Sequence, residues 1–170
     1  MAFSWSPETG RGADIYVVMA DGGPPKRITT NQAADDLPTW SPDGTQLAFV
    51  RALKSLMIVS PQSGGERKLA TASAFFLSWN PKGNAILRSD WVGGRNLLAV
   101  FAIDPATGVN RQVTFPPENS TGDTSAELSP DGKQLAFTRC TLGNCDIYTM
   151  PILGGRVHRI THDESSFSGD

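Results

Sequence analysis

The sequence predicts an all-β fold, a β-propeller of four-stranded antiparallel blades. Gly and Pro, the residues that favour tight turns, number 17 and 12 among 170 residues. Two short blocks recur along the chain, out of phase with each other. Successive copies close at apolar residues spaced 41, 44 and 47 residues apart, a period that suits one blade. These closing residues are Ile28, Leu69, Val113 and Ile160.

The first block is a turn followed by an apolar strand. It reads WSPDG at residues 40–44, WNPKG at 79–83 and LSPDG at 128–132. Pro presets φ at the first central position of the turn, and Gly adopts the left-handed conformation that follows. Asp43 and Asp131 are therefore expected to be turn residues. The recurring Trp40 and Trp79 are expected to pack between neighbouring blades.

The second block ends each blade. Asp-Ile-Tyr at 14–16 and 146–148 leads to a Gly-Gly pair and then to a short final strand that reads Arg-Ile-Thr at 27–29 and 159–161. Together the blocks predict a single propeller segment, 1–170. Its blades lie at about 1–29, 37–70, 75–114 and 124–161.

The first blade is predicted to be partial. Ala2-Phe3-Ser4 aligns best with Ala136-Phe137-Thr138, so the chain would begin at the second strand of a blade and lack the inner strand. Residues 162–170 match the run from Thr29 to Asp36 and would lead into a further blade. We therefore expect a fragment of a longer propeller, or copies that associate to complete a ring, because few blades leave sheet edges bare.

These motifs resemble the TolB-like propeller repeat, a relative of the WD-repeat blade. Residues 37–70 and 124–161 fit its pattern closely, whereas 75–114 lack the Asp-Ile-Tyr. Such repeats occur in periplasmic TolB, in gating propellers of prolyl-oligopeptidase-like peptidases and in sensor proteins with a fused effector domain. The resemblance implies a propeller that usually closes with six to eight blades. It says little about function, because this repeat serves many proteins.

Composition and motifs exclude several functions. The net charge of −2 offers no basic patch for nucleic acid. The longest apolar run, 97–103, is far shorter than the roughly 20 residues of a membrane span. No glycine-rich phosphate loop precedes a helix, and His158 and His162 lack companions for a metal cage, so no cofactor or metal is expected.

No catalytic residues are predicted. A Gly-x-Ser-x-Gly elbow is absent from the sequence. The predicted function is a non-catalytic module for protein–protein interaction or ligand sensing, with a protein or peptide as partner. The alternative is the gating propeller of a prolyl-oligopeptidase-like serine peptidase whose catalytic domain lies outside this chain.

Cys140 and Cys145 flank a predicted hairpin turn. Hairpin geometry places such residues opposite each other, within possible disulfide reach. The alternative is two unpaired thiols. A disulfide would favour a periplasmic or other extracytoplasmic location over the cytoplasm.

The predicted partner surface is the end of the propeller that carries the longer loops. Strand direction alternates, so the loops between second and third strands emerge beside the connections between blades. Trp91 interrupts the repeat and is predicted to anchor a partner, the alternative being that it folds back over its blade. The acidic residues are either part of this site or a solvated rim. The predicted residues are Asp35, Asp36, Asp123, Asp163 and Glu164 from connections, and Arg51, Lys54, Asp90, Trp91 and Arg95 from loops.

Overall fold

The computed structural model describes residues 1–7, 12–71, 73–94 and 96–162, which contain fifteen β-strands and no helix. The predicted fold class, a partial all-β propeller, is confirmed. The first blade contains β1 (Ala2–Trp5), β2 (Asp14–Val17) and β3 (Lys26–Arg27). The second contains β4 (Asp35–Trp40), β5 (Leu47–Arg51), β6 (Ser55–Val59) and β7 (Glu66–Thr71). The third contains β8 (Leu77–Trp79), β9 (Ile86–Trp91), β10 (Leu98–Ile103) and β11 (Asn110–Gln112). The fourth contains β12 (Ser120–Leu128), β13 (Gln134–Thr141), β14 (Asn144–Pro151) and β15 (His158–Arg159).

β1 occupies the position of a second strand. It pairs antiparallel with β2, and Phe3 lies opposite Tyr16. In the fourth blade Phe137 lies opposite Tyr148 in the same way, between β13 and β14. Both aromatic pairs stack, with ring centroids 6.0 and 5.9 Å apart. The sequence alignment of Phe3 with Phe137 therefore matches their structural positions.

Side-chain hydrogen bonds hold the turn between the first and second strands. The Ser41 hydroxyl donates to Asp43 at 2.6 Å and accepts the Gln46 amide at 2.9 Å. Ser129 repeats both contacts, with Asp131 at 2.6 Å and Gln134 at 2.9 Å. The serine hydroxyls lower the pKa of both aspartates, because they stabilise the charged form. Both aspartates are therefore turn residues.

The final strand of a blade ends in a threonine that caps the third strand. The hydroxyl of Thr29 accepts the Ile15 amide at 2.9 Å, and Thr161 accepts the Ile147 amide at 3.0 Å. Thr114 accepts the Val100 amide in the third blade, also at 3.0 Å. The second blade has Ala70 at this position and lacks the contact. The recurring Arg-Ile-Thr thus marks a specific backbone junction.

Apolar clusters fill the gaps between consecutive blades. Successive residues of a strand point to opposite faces of the sheet, so the middle strands supply two gaps at once. Leu47 and Phe49 pack toward the first blade, whereas Ala48 packs toward the third. Leu87 and Phe137 contribute to the gap between the third and fourth blades.

The predicted association of copies to close a ring stays a prediction.

The third and fourth blades are hydrogen-bonded into one sheet of eight strands. β12 runs parallel to β10 at one point, where Gly122 lies opposite Leu98. Gly122 has φ of 113°, and a Cβ there would overlap the Leu98 backbone. Only glycine permits both the conformation and the close approach. This bridge ties the loop end of the fourth blade to its neighbour.

Replacing Gly122 by Ala should destabilise the protein by about 3 kcal/mol, because strain and overlap with the Leu98 backbone act together. Gly143→Ala is the matched control. Gly143 also has positive φ, at 86°, but no atom lies within 4 Å of the position that a Cβ would take, so only about 1 kcal/mol is expected. Urea unfolding measures both. Equal losses would show that the close approach contributes nothing.

Candidate functional site

The candidate site lies at one end of the blades, here called the loop face. It is formed by the loops between second and third strands and by the connections between blades. The opposite end, the turn face, carries the Ser-Pro-Asp-Gly and Gly-Gly turns. Every blade presents exposed large apolar side chains at the loop face among the residues that the structure describes. They include Trp5, Leu53, Phe75, Trp91, Phe115 and Leu142.

Two hairpin tips on the loop face present leucine in strained backbone. Ala52 and Leu53 have φ of 53° and 54°, and Leu142 has φ of 52°. The left-handed conformation costs a non-glycine residue roughly 1–2 kcal/mol. Both leucine side chains point into solvent, 57% exposed at Leu53 and 85% at Leu142. The strain at these tips therefore coincides with apolar surface that the blades leave uncovered.

Trp91 forms an aromatic pair with Phe75 on the same face. Their ring centroids are 5.4 Å apart and their planes meet at 81°, an edge-to-face contact. Trp91 remains 41% exposed and Phe75 49% exposed. Trp91 therefore packs against its own blade and still presents part of its surface. Its role as a partner anchor stays a prediction. Phe75 was missed because it lies in a connection without periodicity.

The prediction that Asp35 and Asp123 lie on exposed connections was wrong. Asp35 belongs to β4 and Asp123 to β12, and both are fully buried. The predicted first strands were too short because each contains a β-bulge, with Leu37 at φ 56° and Ser125 at φ 50°. A bulge interrupts the two-residue alternation on which strand prediction depends.

Each buried aspartate forms a bidentate ion pair with an arginine on the next strand. Arg51 donates to both oxygens of Asp35 at 2.7 and 2.9 Å. Arg139 donates to Asp123 at 2.6 and 2.8 Å. The paired residues lie directly opposite each other in the ladder. The hydrogen bond to Asp35 raises the pKa of Arg51, because it favours the charged guanidinium.

The arginines also connect the ion pairs to the core. The guanidinium of Arg51 lies 5.3 Å from the ring centre of Phe49, and that of Arg139 lies 5.3 Å from Phe137. Arg51 makes one further salt bridge, to Glu66 at 2.8 Å. Arg139 was missed as a site residue. Its signal was present, since Asp35–Arg51 and Asp123–Arg139 share a spacing of 16 residues.

The third blade replaces this ion pair with a different one. Ala74 and Asp90 occupy the positions of the aspartate and the arginine. The buried Arg88 pairs with Asp90, donates to the Ser73 carbonyl at 3.1 Å and lies 5.0 Å from the Phe101 ring centre. The predicted site residue Asp90 is therefore engaged within its blade.

The remaining predicted residues are distributed as follows. Asp36 is half-buried in β4, and Lys54 is exposed in the hairpin loop that contains Leu53. Arg95, Asp163 and Glu164 lie outside the described residues. Within the described ranges no three His, Cys, Asp or Glu residues cluster as metal ligands. No helix in those ranges could cross a membrane.

Cys140 and Cys145 are joined by a disulfide. They lie opposite each other in the β13–β14 ladder, and the Thr141–Asn144 pair separates them from the hairpin tip that carries Leu142. The bond closes a short loop, and both cysteines lie within the paired strands. The disulfide thus braces one of the two strained tips of the loop face.

Comparison with known proteins agrees with this architecture. No family model matches the sequence. A TolB homolog of Chlorobium luteolum is 25% identical over 149 residues, covering 85% of this chain and 33% of that protein. The structure of a putative TolB from Agrobacterium tumefaciens has a TM-score of 0.78 and 21% identity over 93% of this chain and 59% of that one. A prolyl endopeptidase structure has a TM-score of 0.64 and 14% identity over 93% of this chain and 29% of that one.

The fold and its repeating turns define a segment of a β-propeller with four-stranded antiparallel blades. The chain spans about a third of the length of the TolB homolog that it matches. Its sequence and fold are similar to those of TolB-like β-propeller proteins.

Removing one member of a buried ion pair should be costly. Asp123→Ala is expected to lower the free energy of unfolding by about 3–5 kcal/mol, because Arg139 would keep a buried, unpaired charge. The double variant Asp123→Ala, Arg139→Leu should recover much of that loss. Thermal and urea unfolding measure both. A double variant no more stable than Asp123→Ala would contradict the ion-pair account.

Proposed function

We propose that this chain is a non-catalytic propeller module that binds a protein or peptide partner through the loop face. The observation that carries the proposal is the pair of strained hairpin tips that expose Leu53 and Leu142. Backbone strain of this kind is typical of binding sites and active sites. The half-exposed Trp91 and Phe75 add the aromatic surface that is enriched in interface hot spots.

Burial by a partner would offset the cost of these tips. Exposed apolar side chains gain roughly 25 cal/mol for each Å² that a partner removes from water. Strained turns also hold the leucines in fixed positions, which reduces the entropy lost on binding. A self-contained domain would gain stability from Asn-Gly at the same tips, the sequence that a type I′ turn favours. The chain instead has Ala-Leu and Leu-Gly.

Binding rather than catalysis is supported by the contacts of the acidic groups. Asp35, Asp123 and Asp90 are each paired with an arginine, so their carboxylate oxygens are already engaged within the blades. A general acid or base needs a pKa near the working pH and access to its substrate. The sequence also lacks the nucleophile elbow of a hydrolase.

The gating-propeller role remains the alternative. The likeness to a prolyl endopeptidase is at 14% identity and concerns the fold alone. In the gating role the natural gene product also contains a serine peptidase domain, whereas in the binding role it need not. Labelling that product with a fluorophosphonate, which reacts with activated serines, separates them. A labelled serine on the polypeptide that carries these blades would favour the gating role.

We further propose an extracytoplasmic location, supported by the Cys140–Cys145 disulfide at an exposed hairpin. Such bonds persist in oxidising compartments and are rare in cytosolic proteins. Protein extracted from its own cells under acid quench should resist alkylation and should take up two alkyl groups after reduction. Mass spectrometry measures this. Full alkylation before reduction would place the chain in a reducing compartment.

Replacing the residues of a strained hairpin tip by ones that favour its backbone conformation should increase stability and weaken partner binding. The double substitution Ala52→Asn, Leu53→Gly is expected to raise the free energy of unfolding by about 1–2 kcal/mol, because both residues suit positive φ. The same change should weaken partner binding at least several-fold. Urea unfolding and quantitative photo-crosslinking in the source cells measure the two effects.

The crosslinking has a matched control. A photoreactive residue at Leu142 should give a discrete adduct, whereas one at Val109, exposed on the turn face, should not. The adduct should diminish when the Asn-Gly tip or Trp91→Ala is introduced. Adducts of equal yield from both faces, unaffected by these substitutions, would remove the loop face as the binding surface.

A further inference from the structure

A cavity of about 790 Å³ opens on the turn face, in the gap between the third and fourth blades. It lies at the opposite end of the blades from the loop face. Its floor is apolar and includes the buried Leu87 and Ala102 of the middle strands and Leu128 of β12. Small-molecule sites commonly have volumes of about 300–1,000 Å³ and apolar linings.

One substitution in the repeat accounts for the opening. Leu128 lines the cavity at the position that Trp40 and Trp79 hold in the preceding blades. Trp79 packs into the cluster between the second and third blades and donates from Nε1 to the Gly83 carbonyl at 3.2 Å. The corresponding cavity there, lined by Trp79, is about 380 Å³. Leucine leaves unfilled the volume that an indole occupies.

The mouth of the cavity is cationic. Lys82 and Lys133 come from the two facing turns, and Arg111 comes from β11. None of the three forms a salt bridge within the ranges that the structure describes. Two carboxylates lie nearby, and both are engaged in their own turns. Asp104 accepts the amides of residues 106 and 107, and Asp131 accepts the hydroxyl of Ser129 and the amide of Lys133.

Glycine keeps the two turns in contact at the mouth. A Cβ on Gly132 would lie 3.2 Å from Cε of Lys82, so the lysine side chain crosses directly over the neighbouring turn. Lys82 therefore lines the cavity where the two turns meet. The arrangement combines a hydrophobic chamber with positive charge at one end.

We propose that this cavity binds a small amphipathic anion, an apolar aryl or alkyl body that carries one carboxylate or sulfonate group. The body would occupy the space left by Leu128, and the acid group would meet Lys82, Lys133 and Arg111. The site lies on the other face from the proposed partner surface and does not depend on it. Charge complementarity selects an anion over a neutral ligand.

Two fluorescent dyes of nearly equal shape test the proposal. Anilinonaphthalene sulfonate carries the anion, and N-phenylnaphthylamine lacks it. The sulfonate should bind at one saturable site, about tenfold more tightly than the neutral dye. Lys82→Gln combined with Lys133→Gln and Arg111→Gln should remove that difference and leave the neutral dye unaffected. Leu128→Trp should weaken both dyes at least about tenfold while the protein melts cooperatively.

Controls distinguish this site from other exposed apolar surfaces. Leu142→Asn, on the loop face, should leave binding of both dyes unchanged. In the wild-type protein the sulfonate should shift the amide NMR signals of Leu87, Leu128 and Ile152, a result that needs no variant. A folded Leu128→Trp protein that binds both dyes normally would overturn the proposal. NMR shifts confined to the loop face would do so as well.

Discussion

The packing of blade against blade is the constraint on which the rest of the structure depends. In the second blade each middle strand alternates its side chains between two gaps, so both faces of these strands are apolar. Ala48 and Phe49 show the result, since adjacent residues belong to different clusters. With both faces committed to packing, only the strand ends are free to carry polar chemistry.

That division explains the different character of the two ends. At the loop face, buried Asp–Arg pairs join the first and second strands of the second and fourth blades. The exposed leucines project beyond these pairs. At the turn face, serine and aspartate satisfy the backbone of tight turns, and lysines extend over the gaps. The arginines of the loop face are thus engaged in ion pairs, whereas Lys82 and Lys133 of the turn face form no salt bridge within the described part of the chain.

Features set by motifs of fixed length could be predicted from the sequence, whereas features set by the register between strands could not. The turns at Asp43 and Asp131 and the pairing of Phe3 with its blade follow from motifs of fixed length. The burial of Asp35 and Asp123 could not be predicted, because the bulge at Leu37 and its counterpart moves the strand start. The aligned repeat has Leu128 where the two earlier copies have tryptophan, so the difference could be seen in the sequence. That this difference leaves a cavity between two blades could be learned only from the structure.

The Leu98–Gly122 bridge has a mechanical consequence. It fastens the third and fourth blades at the loop face, whereas the cavity separates them at the turn face. The backbone restraint between these two blades therefore lies at Gly122. If a ligand widened the cavity, the fourth blade would tilt about Gly122, and the hairpin tips near this residue would move least.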